Sequence, residues 1–274
     1  MQFGMPTLVE NQTLEENIAL CKELGLRFLE LNMNFPEYQL AELEKTERLA
    51  EAAAAAGIYY TIHLDENLDI ADFNRLVSGA YLETVRRTIK AAGKLLCLRN
   101  SRGDPAHPLI LNMHLNHGIY ITLPDRKVQM YERHFSTYQK AYRSFRKQCE
   151  EWIGDDDLML TIENTDGFWD YEREMLEELL QSPKFGLTWD IGHSKSAGEG
   201  DASFLRAHRA KLVHFHIHDG SEQPPRNHLP LGDGKLDLRE RLSFASLCGA
   251  RCVLETKTAE ALKKSVQWLK REGY

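Results

Sequence analysis

The sequence predicts an α/β fold, a single (βα)8 TIM barrel, and three observations support this. Eight short apolar runs of strand length alternate with eight longer segments of helical periodicity. Strict alternation predicts parallel strands joined by right-handed crossovers, and eight such units favour closure into a barrel. A length of 274 residues suits one barrel domain spanning residues 1–274. An open doubly wound sheet is the alternative fold.

The predicted strands are rich in β-branched and aromatic residues and are only six to eight residues long. In chain order they are residues 2–8, 27–32, 58–64, 108–115, 158–164, 185–191, 212–219 and 251–256.

The predicted helices carry apolar residues at helical spacing, and the first two end on the glycines Gly25 and Gly57, which are suitable C-terminal caps. They cover residues 14–25, 40–57, 81–96, 128–152, 171–181, 202–210, 238–249 and 259–271. Residues 98–108 contain glycine and prolines and are expected to form a surface loop before the fourth strand.

The composition is that of an ordinary globular protein, with 42% hydrophobic and 27% charged residues. A formal net charge of −7 counts mildly against a general nucleic-acid binder. The five cysteines form no CxxC pair, which favours free thiols in a reducing compartment. We see no signal peptide and no membrane-spanning stretch, so we expect a soluble cytoplasmic protein that has no membrane partner and is compatible with a homo-oligomer.

Ionisable side chains cluster at the C-terminal ends of six consecutive predicted strands. They are His63, His114, Glu163, Asp190, His216 and Glu255. In a parallel barrel these ends open on one face, where the active site lies. Burying so much unpaired charge in one mouth is costly, and a divalent cation would neutralise the carboxylates. The pattern therefore predicts a metal site rather than a purely structural polar cluster.

The seventh strand and the loop after it offer further candidates. His214, His216 and His218 share one face of the strand because strand side chains alternate. We expect His214 to be deep and structural, His216 to be at the height of a ligand, and His218 to contact substrate or support its neighbours. Residues 224–237 are predicted to be a loop, in which Arg226 and His228 are further candidates.

Five motifs together resemble the xylose isomerase-like TIM-barrel superfamily, which includes AP endonuclease family 2, sugar-phosphate isomerases and ketose 3-epimerases. They are IENT at 162–165, WDIGHS at 189–194, HFHIHD at 214–219, HLPLGDG at 228–234 and LET at 254–256. The resemblance covers most of the chain and is strongest from residue 158 to residue 256. The motifs are specific as a set and weak one by one.

The resemblance implies a divalent ion, Mn²⁺ or Zn²⁺, in the barrel mouth. In the epimerases a single metal is held by residues that match Glu163, Asp190, His216 and Glu255 here. In endonuclease IV a zinc cluster uses additional histidines, and the matching candidates here are His63, His114, His193 and His228.

Two departures from the endonuclease pattern weaken that interpretation. Arg226 stands where the endonucleases place an aspartate ligand, and an arginine cannot bind a cation. The loop after His63 reads HLDENLDIAD, which is acidic and contains no aromatic residue to replace an extruded base. Both departures favour a small carbohydrate over nucleic acid as the partner.

The leading hypothesis is a metal-dependent isomerase or epimerase of a small sugar or sugar-phosphate, acting by proton transfer through a metal-stabilised enediolate. Glu163 and Glu255 are the predicted catalytic acid and base on opposite faces of the substrate. The predicted substrate-binding residues are His193, Arg226, His218 and Trp169. The alternatives are a zinc-dependent AP endonuclease and a catalytically inert barrel that binds a metabolite.

Overall fold

The computed structural model describes residues 1–101 and 107–274, and a closed barrel of eight parallel strands lies at its centre. Two hairpins add four strands to the eight of the barrel. In chain order the strands are β1 (Gln2–Pro6), β2 (Phe28–Asn32), β3 (Tyr59–His63), β4 (Leu109–His114), β5 (Tyr120–Thr122), β6 (Lys127–Gln129), β7 (Leu158–Glu163), β8 (Phe185–Asp190), β9 (Leu212–Ile217), β10 (Asp219–Glu222), β11 (Pro225–Leu229) and β12 (Arg251–Leu254). Around the barrel the order is β1-β12-β9-β8-β7-β4-β3-β2, so the predicted (βα)8 fold is confirmed.

The α-helices lie between the strands and cover the outside of the barrel. They are α1 (Leu14–Glu23), α2 (Leu40–Leu43), α3 (Thr46–Ala56), α4 (Arg75–Ser101), α5 (Met130–Arg133), α6 (Phe135–Ile153), α7 (Asp170–Leu179), α8 (Ile191–Ser196), α9 (Ala202–Ala207), α10 (Leu238–Leu247) and α11 (Ala259–Glu272). Short 3₁₀ turns occupy Pro36–Tyr38 and Arg209–Lys211. No helix within the described ranges is both long and apolar enough to cross a membrane.

Local sequence signals account for where several helices begin and end. Thr13 and Glu16 form a capping box that satisfies the first backbone N–H groups of α1. Gly57 ends α3 in the left-handed conformation, which costs glycine nothing. Helix α4 continues to Ser101, so the expected loop at 98–108 is wrong for its first residues, and 102–106 lie outside the described residues.

Two antiparallel hairpins, β5–β6 and β10–β11, extend from the barrel and were not predicted. Strands β5, β6 and β11 are short and largely exposed, and β10 is a buried four-residue strand of mostly polar residues, so none has the apolar periodicity that marks a strand in a sequence. The predicted helix 128–152 therefore begins too early, because Gln129 ends β6 and its side chain caps α5. The predicted loop 224–237 likewise contains strand β11.

Strand β9 shows how the barrel separates polar from apolar side chains. Phe215 faces outwards and packs against Trp189 of β8, with the ring centroids 5.9 Å apart. His214 and His216 alternate with it and are completely buried. The barrel interior therefore contains a polar layer, while the layer beneath the helices is apolar.

Candidate metal centre

Four side chains that can bind a cation converge at the C-terminal end of the barrel. Glu163 and Asp190 are the last residues of β7 and β8, His216 lies late in β9, and Glu255 directly follows β12. All four are buried, and each offers one ligand atom within 4.8 Å of the others. The parallel register places these side chains together, because Asp190 and Val253 both pair with His216 on neighbouring strands.

The imidazole of His216 lies at the centre of the group. Its Nδ1 is 3.1 Å from Glu163 Oε1, 3.5 Å from Glu255 Oε2 and 4.0 Å from Asp190 Oδ2. Three carboxylates from three strands thus face one ring nitrogen. A cation placed among these atoms would be approached by oxygen ligands from β7, β8 and β12 and by nitrogen from β9.

The chemistry of these residues fits a divalent cation. Glu255 Oε2 is buried and accepts no hydrogen bond from any described residue, which is costly for a carboxylate oxygen unless another partner neutralises it. Three carboxylates also outnumber the single imidazole that they surround. Carboxylate oxygens with one imidazole suit Mn²⁺ and Zn²⁺.

The electrostatic environment keeps the carboxylates ionised. Burial alone would raise the pKa of Glu163, but the charges of His216 and His114 outweigh it and hold the pKa well below its usual value. For Glu255, burial is similarly outweighed by His216 and Lys257, so its pKa is also lowered. Lys257 Nζ lies 2.9 Å from Glu255 Oε1, although the lysine is largely exposed. Both glutamates are therefore ionised and can bind a cation.

Two further histidines approach Glu163 from β3 and β4. His63 Nε2 is 3.5 Å and His114 Nε2 is 3.3 Å from Glu163 Oε2. Asn112 donates a hydrogen bond to the same oxygen. Burial lowers the pKa of His63, but its hydrogen bond with Glu163 has the opposite effect and the pKa is raised overall. These candidates thus surround one oxygen of Glu163, and the other oxygen faces His216.

A second group of histidines lies beside Asp190. His193, His218 and His228 bring one ring nitrogen each to within 4.8 Å of the others. His218 Nε2 is 2.9 Å from Asp190 Oδ1, and its Nδ1 accepts a hydrogen bond from the His228 backbone N–H. Both nitrogens of His218 are therefore engaged by protein groups, and His218 supports Asp190.

Hydrogen bonding also defines the proton positions on the other two histidines. His228 Nδ1 lies 3.0 Å from the main-chain oxygen of Glu255, which can only accept, so Nδ1 carries the hydrogen. Burial lowers the pKa of His228 to about 4, so the ring is neutral and its Nε2 accepts. His193 Nε2 is 3.1 Å from His228 Nε2 and donates a hydrogen bond to it. The pair faces the same mouth as the four-residue group.

Two predicted substrate-binding residues, Arg226 and Trp169, have their described contacts with other parts of the chain. Arg226 is exposed on β11, where its backbone pairs with Ser221. Trp169 stands immediately before α7 and packs against His117 and Tyr120, with ring centroids 5.6 Å away in each case. Neither side chain belongs to the groups that could hold a cation. Their proposed contact with substrate remains a prediction.

The sequence reasoning missed two polar residues inside the barrel, Glu30 and Asn112. Glu30 interrupts the apolar strand FLELN and Asn112 interrupts LILNMH, and both are buried. A polar residue at an inward position of a buried strand is the signal that could have identified them, because such a group must find a partner.

Comparison with known proteins identifies the family. A family model described as xylose isomerase-like TIM barrel matches residues 18–272, so the chain belongs to that family and the predicted resemblance is confirmed. A search of curated proteins gives no significant match.

Solved structures share the fold at low sequence identity. A D-tagatose 3-epimerase-like protein is 22% identical with a TM-score of 0.75, covering 99% of this chain and 96% of that one. The 3-keto-D-glucoside 4-epimerase of E. coli is 16% identical with a TM-score of 0.72, covering 99% of both chains. An L-ribulose 3-epimerase is 17% identical with a TM-score of 0.68, covering 100% and 94%.

Proposed function

We propose that this protein is a divalent-metal-dependent isomerase or epimerase of a small sugar or sugar-phosphate. The observation that carries the proposal is the pair of buried glutamates that face Nδ1 of His216. Glu163 on β7 and Glu255 after β12 approach the same nitrogen at 3.1 and 3.5 Å, although β8 and β9 separate their strands. The structural similarity to sugar epimerases supports this choice.

The reaction requires that a proton be removed next to a carbonyl group and returned to one face of the carbon. Carboxylates on separate strands can reach opposite faces of a bound sugar, so one takes the proton and the other delivers one. A divalent cation held by Glu163, Asp190, His216 and Glu255 would polarise the carbonyl and stabilise the neighbouring oxyanion. No outside oxidant or reductant is needed.

The surrounding residues hold the substrate and the carboxylates in place. His193 has a donor Nε2 that already bonds to His228, so its Nδ1 can accept a hydrogen bond from a sugar hydroxyl. Lys257 holds one oxygen of Glu255, leaving the other to face the site. Burial of the group excludes water, which strengthens these electrostatic contacts.

Solvent exchange tests the two-base proposal. Protein loaded with Mn²⁺ is incubated in D₂O with D-fructose, D-tagatose or L-ribulose, and deuterium next to the carbonyl is measured by NMR. We expect wild-type protein to exchange at least one of these ketoses, and Glu163→Gln and Glu255→Gln to lose exchange by about 10²- to 10⁴-fold.

The exposed Glu151→Gln is the matched control and should behave as wild type. Metal content is measured on each variant, so that a lost cation is separated from a lost base. Full exchange in both glutamine variants would exclude proton transfer by these glutamates, and no exchange of any ketose or ketose phosphate by wild type would refute the proposed activity.

Zinc-dependent hydrolysis of abasic DNA is a second candidate, supported by the additional histidines. His63 and His114 lie within 3.5 Å of Glu163 and could bind a further cation with it. The acidic loop after β3 argues against it: Glu66 is exposed there, and Asp69 accepts a hydrogen bond from Tyr131 that holds the loop down. Chelator-sensitive nicking of an abasic duplex would favour this activity, and its absence would exclude it.

A further inference from the structure

Glu30 lies on the side of His216 opposite the cation-binding atoms. It is located on β2, inside the barrel, and is 1% exposed. Its Oε1 is 2.9 Å from His216 Nε2, in an ion pair that is not aligned as an ideal hydrogen bond. Its Oε2 accepts from Thr61 Oγ1 at 2.8 Å and contacts His214 Nε2 at 2.9 Å.

These contacts determine which nitrogen of His216 carries a hydrogen. A carboxylate oxygen and an unprotonated imidazole nitrogen are both acceptors and would repel each other at 2.9 Å. Nε2 must therefore carry a hydrogen. Nδ1 lies 3.1 Å from Glu163 Oε1, so it would present its lone pair when a cation among the carboxylates takes the place of the proton there. Nδ1 is also the atom that faces Glu163, Asp190 and Glu255.

We propose that Glu30 is a positioning residue that holds His216 with Nε2–H towards itself and Nδ1 towards the cation. The inference rests on the metal site of the proposed function. A carboxylate behind a ligating histidine fixes the tautomer and ring orientation and raises the basicity of the ligating nitrogen. Glu30 acts through His216 and touches neither the substrate nor the cation.

The composition of this layer argues for a role beyond packing. Branched apolar side chains usually fill the interior of such a barrel. Here Glu30, Thr61, His214 and His216 occupy it, and burying a carboxylate among them is costly unless its partners compensate. An apolar layer would satisfy packing alone, but it would leave the tautomer of His216 undefined.

Metal affinity tests the inference without measuring turnover. Mn²⁺ is titrated into metal-free protein and free Mn²⁺ is followed by EPR. We expect Glu30→Gln to raise the dissociation constant by about 10- to 100-fold. Glu151→Gln is the matched control, because it makes the same change at an exposed position, and it should leave the constant within about threefold of wild type.

A second measurement reports the contact between Glu30 and Nε2–H directly. In Zn²⁺-loaded protein labelled with ¹⁵N-histidine, the Nε2 resonance of His216 should shift in Glu30→Gln, because the carboxylate that faces Nε2–H is lost. If Glu30→Gln does not fold, Glu30→Asp carries the same test, because it retracts the carboxylate by one methylene.

The outcomes separate this inference from the proposed function. Unchanged affinity and an unchanged His216 Nε2 resonance in the variant would overturn the role of Glu30, as would a wild-type protein that binds no cation. Tight binding by wild type with no exchange of any sugar would refute only the proposed activity.

Discussion

At the scale of single residues, Glu163 shows how the barrel assigns different tasks to the two oxygens of one carboxylate. Asn112 donates to Oε2, and His63 and His114 lie within 3.5 Å of it. Oε1 instead faces His216 at 3.1 Å. Because one oxygen is held by protein groups, the side chain is fixed and the second oxygen is presented to the site. Such positioning matters, since small displacements of a catalytic group reduce the rate strongly.

His117 provides a residue-level prediction of pH dependence. Burial lowers its pKa, but hydrogen bonds to Asp166 and Glu172, both 2.7 Å long, outweigh burial and raise the pKa to about 10. A histidine in the unfolded chain titrates near 6.5. The stabilisation of the folded state by protonated His117 is therefore complete below pH 6.5 and is lost as the pH rises through 10.

We expect His117→Gln to lower the free energy of unfolding by about 1–3 kcal/mol near neutral pH, and by much less in alkaline solution. Chemical denaturation at both pH values measures the difference. Exposed His134→Gln serves as the control and should change stability little. An equal loss for His117→Gln at both pH values would show that the ring contributes packing rather than charge.

At the scale of elements, the carboxylate of Asp219 organises the chain from β10 to the start of α10. Oδ1 accepts from the backbone N–H groups of Gly220 and Leu236, and Oδ2 accepts from those of Gly232 and Gly234. A Cβ atom on Gly234 would lie 2.2 Å from Asp219 Oδ1, so only glycine allows this close approach. The carboxylate thus folds the segment that follows His228 back over the barrel.

Asp219→Asn tests this anchoring role. An amide has one oxygen, so its NH₂ group would oppose two backbone donors, and we expect a loss of about 2–3 kcal/mol in the free energy of unfolding. The amides of Gly232 and Gly234 should also exchange hydrogen faster. Asp233→Asn in the same loop is exposed and is the control. Preserved amide protection in Asp219→Asn would mean that another group holds the loop.

At the scale of the whole molecule, the proposed cation would connect four strands of the closed barrel. Glu163, Asp190, His216 and Glu255 come from β7, β8, β9 and the end of β12, and these ligands would be far apart in the unfolded chain. A cation that binds only the folded state shifts the folding equilibrium in its favour. The metal site should therefore contribute to global stability as well as to chemistry.

We expect Mn²⁺ or Zn²⁺ at a hundredfold excess over its dissociation constant to stabilise the protein by about 2.7 kcal/mol, raising Tm by about 5–10 °C. Thermal denaturation with and without a chelator measures the shift. Glu255→Gln should lose most of it, while Glu151→Gln should retain it. An equal shift in Glu255→Gln would place the stabilising cation elsewhere.

The eight barrel strands could be predicted because each is a short apolar run, and the ends of those runs located the ionisable side chains. Asp190 and His216 lie at such ends, so parallel pairing was enough to bring them to one face. Hairpin β5–β6 could not be predicted, since an exposed three-residue strand carries no apolar periodicity. The proposed contact of Arg226 and Trp169 with substrate stays a prediction.

By itself, the sequence determined the alternation of strands and helices, and hence which side chains could share the barrel mouth. Only the tertiary structure decided that Glu30 lies behind His216, that His218 supports Asp190, and which ring nitrogen faces each carboxylate. The physical reason is that periodicity specifies the face and height of a side chain on its strand. Contacts between side chains depend on register, barrel closure and rotamer, which arise from packing residues far apart in the chain.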